Sequence, residues 1–391
     1  MRKVYAFLCF FLLNGYISAQ DPILISYKRN FVKASIAEKL NVLNEAAAVP
    51  YDSAFIRQVY DFALQFSLSN ADLLADDADM IALTKATVQG IGRIGDKDSA
   101  EILLKLCSLY NDSSTRVVIL DALAIIAQGN GRVIADLNQL LLDQNNAFLL
   151  GMELDYQALQ AGVAALGTLG DESSYPVLFF TFSLPYPDTV TEAARLALIQ
   201  IRGNYMAFLA GIIQNNPPHD KLKAFILIMD TTKDAVQIPV TDKNILAQTA
   251  LEMGLNTNDA DSYALRYEAV RALTGLGWTG ASALVIRHFY QVQTDYAHGN
   301  AAKERFIEAI LCLGAMRTPE SAQILAIQLG LINAQTEQTG DFDKDILLAT
   351  IKALGDIGDK VAFDHLLYAD FLSYSKEVKV AAKTALAKLK W

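Results

Sequence analysis

Small and apolar residues recur along this chain in a fixed frame. Take Gly90, Ala122, Ala165, Ala197, Ala272, Cys312, Ala353 and Ala385 as position zero. The next residue is aliphatic every time: Ile91, Leu123, Leu166, Leu198, Leu273, Leu313, Leu354 and Leu386. Four residues after zero stand Ile94, Ile126, Leu169, Ile201, Leu276, Met316, Ile357 and Leu389. Three residues before it the series runs Thr87, Ile119, Gly162, Ala194, Ala269, Ala309, Thr350 and Ala382, mostly small. Counted from the earliest, these places are i, i+3, i+4 and i+7, one stripe of an α-helix. Small residues at two of the four predict close approach by a neighbouring helix.

The helix ends repeat in the same frame. Gly95-Asp96, Gly170-Asp171 and Gly358-Asp359 follow the last apolar residue, and Gly277 matches the first half of the pair. Glycine there suits a left-handed C-cap, and aspartate suits the start of the next helix. A second apolar helix follows each turn, as at Ala100 to Leu109 and Ala322 to Leu329. The unit is therefore helix, tight turn, helix. Successive zero positions lie about 32 or about 41 residues apart, with a wider gap between Ala197 and Ala272. One such pair buries too little apolar surface to offset the entropy of ordering it, so neighbours must stack to supply the rest.

The stretches Leu265-Arg266-Tyr267-Glu268-Ala269-Val270-Arg271-Ala272-Leu273 and Ala353-Leu354-Gly355-Asp356-Ile357-Gly358-Asp359 resemble HEAT repeats of the PBS-lyase HEAT-like, armadillo-type kind. That family opens its helix with Val-Arg and closes it with Ala-Leu-Gly-x-Leu-Gly-Asp. Arg116 and Arg266 match the opening arginine and Lys379 matches it in kind, whereas Thr84, Leu159, Thr191 and Leu347 do not. The resemblance covers most of residues 80–391 and implies an all-α fold, an α-α superhelix built as a right-handed solenoid of HEAT-like helix pairs. It says little about activity. Residues 80–216 and 259–391 are expected to form two repeat arms. Residues 217–258, with Pro217-Pro218 and Pro239, read as a degenerate repeat or hinge, where Ala224, Phe225 and Ile228 are the best match to the frame. Residues 20–75 read as an N-terminal helical cap.

The first residues bear on destination. Arg2 and Lys3 precede an apolar run from Val4 to Leu13, and Ile17-Ser18-Ala19 follows before Gln20. That is the layout of a cleaved signal peptide over residues 1–19, too short to span a bilayer. The expectation is an exported chain, periplasmic or extracellular, with no transmembrane segment in its mature form. Losing Arg2 and Lys3 takes the formal charge from −10 to −12. So acidic a chain, with a pI near 5.0, is a poor match for nucleic acid, which calls for a Lys/Arg-rich face. Of the three cysteines Cys9 leaves with the signal, and Cys107 and Cys312 sit in apolar helical patterns, where they read as buried free thiols.

Catalytic signatures are scarce. Gly90-x-Gly92-x-x-Gly95 has the letters of a dinucleotide fingerprint but closes a helix instead of opening one after a strand. Asp341, Asp343 and Asp345 begin like a calcium loop, yet Ile346 stands where glycine belongs and Lys352 where the bidentate glutamate belongs. Those acids, like Asp76, Asp77 and Asp79, suit a helix N-terminus. His219, His288, His298 and His365 form no His-Glu pair, the arrangement by which the HEAT-like deoxyhypusine hydroxylases hold iron. The expectation is a non-catalytic scaffold without cofactor that binds a protein or peptide. The alternative is an exported enzyme or accessory subunit with a dispersed site. If the motif helix lines the concave side, as in HEAT arrays, its exposed −1 and +3 positions form the binding stripe, with Arg93, Asp121, Gln200, Arg271, Lys352 and Asp356 as candidates. Intact-mass measurement of the native protein is expected to show a chain beginning at or near Gln20, and a retained Met1 would contradict export by this signal.

Overall fold

The computed structural model describes residues 22–48, 53–201, 203, 205–230, 240–257 and 259–390; the expected signal peptide lies outside them. Among the described residues there are twenty α-helices and no strand, so the fold is all-α. The chain divides into two compact units, residues 1–203 and 204–391.

The first unit holds α1 (Pro22–Lys33), α2 (Ile36–Ala48), α3 (Ser53–Leu74), α4 (Ala78–Ile94), α5 (Ala100–Leu109), α6 (Ser113–Ile126), α7 (Gly131–Leu149), α8 (Tyr156–Leu169), α9 (Tyr175–Ser183) and α10 (Asp188–Gln200). The motif helices α4, α6, α8 and α10 pack each on the next, and α2 packs on α4 ahead of them. A second layer follows the same rule, with α1 on α3, α3 on α5, α5 on α7 and α7 on α9.

The second unit holds α11 (Met206–Asn215), α12 (Pro218–Asp230), α13 (Val240–Asn256), α14 (Ala260–Leu276), α15 (Ser282–Ala297), α16 (Lys303–Met316), α17 (Pro319–Thr339), α18 (Lys344–Ile357), α19 (Phe363–Tyr368) and α20 (Lys376–Leu386). Here α12, α14, α16, α18 and α20 form the motif layer, and α11, α13 and α15, then α17 and α19, lie behind them. In α12 the weakly matching residues Ala224, Phe225 and Ile228 are all fully buried.

The apolar frame of the sequence is the core of both units. Every residue at −3, zero, +1 and +4 in the eight copies is buried or part-buried, and none is exposed. A fifth place joins them. Glycine stands at +2 in four copies, and each seats against the alanine at zero of the next motif helix. A Cβ on Gly92 would come 3.3 Å from Ala122 Cβ, one on Gly167 2.7 Å from Ala197 Cα, one on Gly314 2.7 Å from Ala353 Cβ, and one on Gly355 2.9 Å from Ala385 Cβ. The helices of this layer are thus nearly in backbone contact.

Turn chemistry fits the frame. Gly95, Gly170, Gly277 and Gly358 end their helices at positive φ. Arg317 takes the same place after α16 with φ 52°, a conformation disfavoured for a residue with a Cβ. Asp171 and Asp359 then cap a single 3₁₀ turn through the amides of Ser173 and Val361. At the other end Asp77, Asp112, Asp155, Asp259 and Asp343 cap α4, α6, α8, α14 and α18. A cation of the preceding motif helix reaches three of these caps: Lys85 Nζ to Asp112 at 3.4 Å, Arg116 Nη1 to Asp155 at 3.9 Å and Lys303 Nζ to Asp343 at 3.5 Å.

Two glycines separate helix propensity from packing. Gly275 in α14 faces open space, so Gly275→Ala should raise unfolding free energy by about 0.5–1 kcal/mol. Gly314→Ala gains the same propensity but forces a Cβ into Ala353, and overpacking of about 1–3 kcal/mol should make it a net loss. Denaturant unfolding of both variants checks the pair, and equal signs would mean the close approach is not a constraint.

Candidate binding surface

The stripe beside the core is solvent-exposed. In the first unit Arg93, Asp121 and Gln200 are all exposed, on α4, α6 and at the end of α10. Among the described residues Arg93 and Asp121 enter no ion pair with each other or with other side chains, although they stand on adjacent helices. Partial burial against the neighbouring helices raises the Asp121 carboxyl above its ordinary value. Apolar residues share the stripe: Ile125 on α6 and Leu196 on α10 are about half exposed. Gln200 lies over Gly167, its Oε1 3.0 Å from where a Cβ would stand.

The second unit treats its candidates differently. Arg271 on α14 is held at 2.7 Å by Glu268 of its own helix and at 3.2 Å by Glu308 of α16. Lys352 and Asp356 on α18 pair at 3.1 Å, and Lys388, just past α20, reaches Asp356 at 3.0 Å. Burial pulls the Asp356 carboxyl up, but hydrogen bonds from Lys388 and Lys352 outweigh it and leave the group below its ordinary value. Arg271 and Asp356 therefore knit successive motif helices together, while Lys352 pairs within α18. Exposed pairs of this kind contribute about 0–1 kcal/mol each, so a partner can compete for them at small cost.

The first unit also contains a pocket of about 580 Å³ between the α5–α6 and α7–α8 pairs. Leu104, Leu120, Leu137, Leu141 and Leu159 form its apolar wall, with Cys107 among them and Arg116 and Asp155 at one side. Asp155 spends Oδ1 on the amide of Ala158, capping α8, and its buried Oδ2 accepts no hydrogen bond. Arg116 Nε donates to the Tyr110 carbonyl at 2.6 Å. Gly162, at the −3 place where other copies carry Thr, Ile or Ala, leaves room above Leu120. Reading the chain for exposed stripes passed over this pocket. Its traces were there in Gly162 and in the long spacing between Ala122 and Ala165, which accommodates the nineteen residues of α7.

The second unit has a shallower groove of about 500 Å³ between α17 and α19. The exposed side chains of Ile327, Leu331 and Tyr368 border it, and Gly330 admits the His365 imidazole beneath. Tyr368 Oη donates to Glu337 at 2.8 Å across its rim.

The motifs with catalytic letters are structural. Gly90 and Gly92 lie in the last turns of α4, where the Tyr60 ring occupies the space over Gly90, and Gly95 is the C-cap. Asp343 caps α18 through the amides of Asp345 and Ile346. Among the described residues no three His, Cys, Asp or Glu side chains converge on a point that could hold a metal ion.

No protein-family model and no curated protein matches the chain. Among solved structures it is similar to a "Crystal Structure of Engineered Protein" from the Northeast Structural Genomics Consortium, with 16% identity and a TM-score of 0.28 over 95% of this chain and 96% of that one. At that score the likeness carries no argument. Among the described residues no helix is long and apolar enough to cross a membrane.

Burial pushes the Cys107 thiol up to about 11 and the Cys312 thiol up to about 12, so both stay protonated well above neutrality. A raised thiol pKa stabilises the folded state below the unfolded value of about 9, and that contribution is lost as pH climbs through 9 toward 11 and 12. Both cysteines should therefore react with a thiol reagent at neutral pH at the rate of unfolding. Fast labelling of the native protein would show that the pocket wall opens around Cys107.

Proposed function

We propose that this chain is an exported, non-catalytic scaffold, a right-handed superhelix of HEAT-like helix pairs that binds a protein or peptide along the −1 and +3 stripe of its motif helices. One observation carries the reading: a stripe of exposed, mixed-sign and partly apolar side chains runs beside a fully engaged core in seven of the eight copies, with part-buried Leu311 and Ala315 in α16. Alternation of charge with Ile125 and Leu196 suits a polar polypeptide with apolar anchors better than a polyanion or a lipid surface. The acidic balance of the chain supports the same exclusion of nucleic acid.

Close packing supports the choice of face. Glycine at +2 against alanine at zero brings motif helices nearer to one another than the Leu- and Phe-bearing second helices can come. A stack narrower on one side curves toward that side, which favours the motif layer as the concave one. The pocket in the first unit is the feature that favours the alternative of an exported enzyme or accessory subunit. Its cysteine is held protonated by burial, and its arginine and aspartate face one another, so it reads as a place to hold a ligand instead of a nucleophilic centre.

Arg93→Glu is the cleanest probe of the stripe, because no internal pair is lost with it. Joint reversal of Arg271 and Lys352 to Glu tests the second unit. A partner captured from envelope extract and identified by mass spectrometry should bind these variants about tenfold or more weakly at physiological salt. Helicity should be unchanged, and the double variant should lose no more than about 1–2 kcal/mol of stability. Undiminished binding by both variants would rule out the motif-helix stripe.

A further inference from the structure

The second unit buries a cation that has no counter-charge among the described residues. Arg266, at the second turn of α14, is only 1% exposed, yet among the described residues it makes no ion pair, and its Nε and Nη2 have no hydrogen-bond partner. The faces of its guanidinium are covered: Cζ lies 4.3 Å from the centre of the Tyr263 ring and 5.3 Å from that of Tyr267. His288 of α15 meets the same Tyr267 edge-on at 5.6 Å, is fully buried, and has no partner on either ring nitrogen. Asp295 faces Tyr263 Oη at 3.5 Å and makes no ion pair with Arg266.

The repeat frame says what is missing. Arg266 stands six residues before its zero position, as Arg116 does in α6. Arg116 faces Asp155, the aspartate capping the next motif helix. The helix that follows α14 is α16, whose N-cap is Ala302, with no side chain to accept. The first turn of α16 does arrive at this cluster, since Arg305 lies 4.2 Å over the Tyr267 ring. Arg116 has two partners, the Tyr110 carbonyl at Nε and Asp155 beside Nη1, whereas Arg266 has neither, and the cap position of the next motif helix holds a methyl group.

The identity of the two orphaned nitrogens names the ligand. Nε and Nη2 lie on one edge of the guanidinium with parallel N–H bonds, the edge that grips both oxygens of a carboxylate. We propose that this edge of Arg266 binds a carboxylate from outside the chain, with His288 able to offer one further N–H. The carboxylate comes either from a small free acid or from an acidic side chain of a bound polypeptide. Tyr263 and Tyr267 lie against the guanidinium and leave its Nε–Nη2 edge as an unpaired donor pair of the cluster. A buried, unpaired arginine would otherwise be a lasting cost to the unit that holds it.

Thermal unfolding of the full chain in sodium formate tests this, with ionic strength held constant by a bulky sulfonate. The unfolding midpoint of the wild type should rise linearly with the logarithm of formate concentration once the site is filling. Arg266→Met should abolish that slope. Arg266→Lys keeps the charge but not the two-nitrogen edge, so it should flatten the slope as well. A wild type indifferent to formate would overturn the proposal, as would a slope that persists unchanged in Arg266→Lys. The second comparison stands even if Arg266→Met fails to fold. A short aspartate-containing peptide that stabilises more than equimolar formate, and only while Arg266 is present, would assign the site to a polypeptide; formate alone acting would assign it to a free acid.

Discussion

Everything in the two units depends on how near one motif helix comes to the next. In the four contacts that set glycine at +2 against alanine at zero the backbones almost touch, and the side chains at +1 and +4 beside them are buried or part-buried. The apolar stripe is buried because that contact fixes its rotation, and the −1 and +3 stripe is exposed for the same reason. Larger residues at either place would turn or separate the helices and mix the two stripes. The binding reading is therefore downstream of a steric fact, since a surface of defined composition exists only while the helices keep their register.

Charge refines this arrangement without creating it. Aspartates at the N-caps hold their own helices, and where a cation of the preceding helix reaches them they also tie neighbours together. The same economy appears on the exposed stripe of the second unit, where Arg271, Lys352 and Asp356 face residues of their own protein. Arg93 and Asp121 in the first unit do not. The two units share one frame and differ in how much of their surface charge is already spoken for.

The sequence made the helical periodicity, the turn glycines and the core almost wholly legible, because each depends on spacing within about eight residues of a zero position. The aspartates at 77 and 343 were read as helix starts for the same local reason, and both are caps. What escaped was relational. The pocket beside Cys107 forms from four helices, and its room comes from Gly162, whose meaning depends on a leucine of the preceding motif helix. Arg266 and Arg116 look alike in the chain; their partners set them apart, the Tyr110 carbonyl and Asp155 for Arg116 and two tyrosine rings for Arg266. Arg271 and Lys352 stood out as exposed, which they are, but their pairing with Glu308 and Asp356 depends on side-chain reach that periodicity does not encode.

The contact between glycine and alanine has a direction. In each of the four pairs the earlier helix gives the glycine and the later one the alanine, so the contact is heterologous. In α20 the alanine knob at Ala385 receives Gly355, but the +2 place holds Ala387, with exposed Lys383 and Lys388 close by in the chain. The contact therefore carries the direction of the chain: a change at a glycine is felt first by the helix after it, and a change at an alanine by the helix before it.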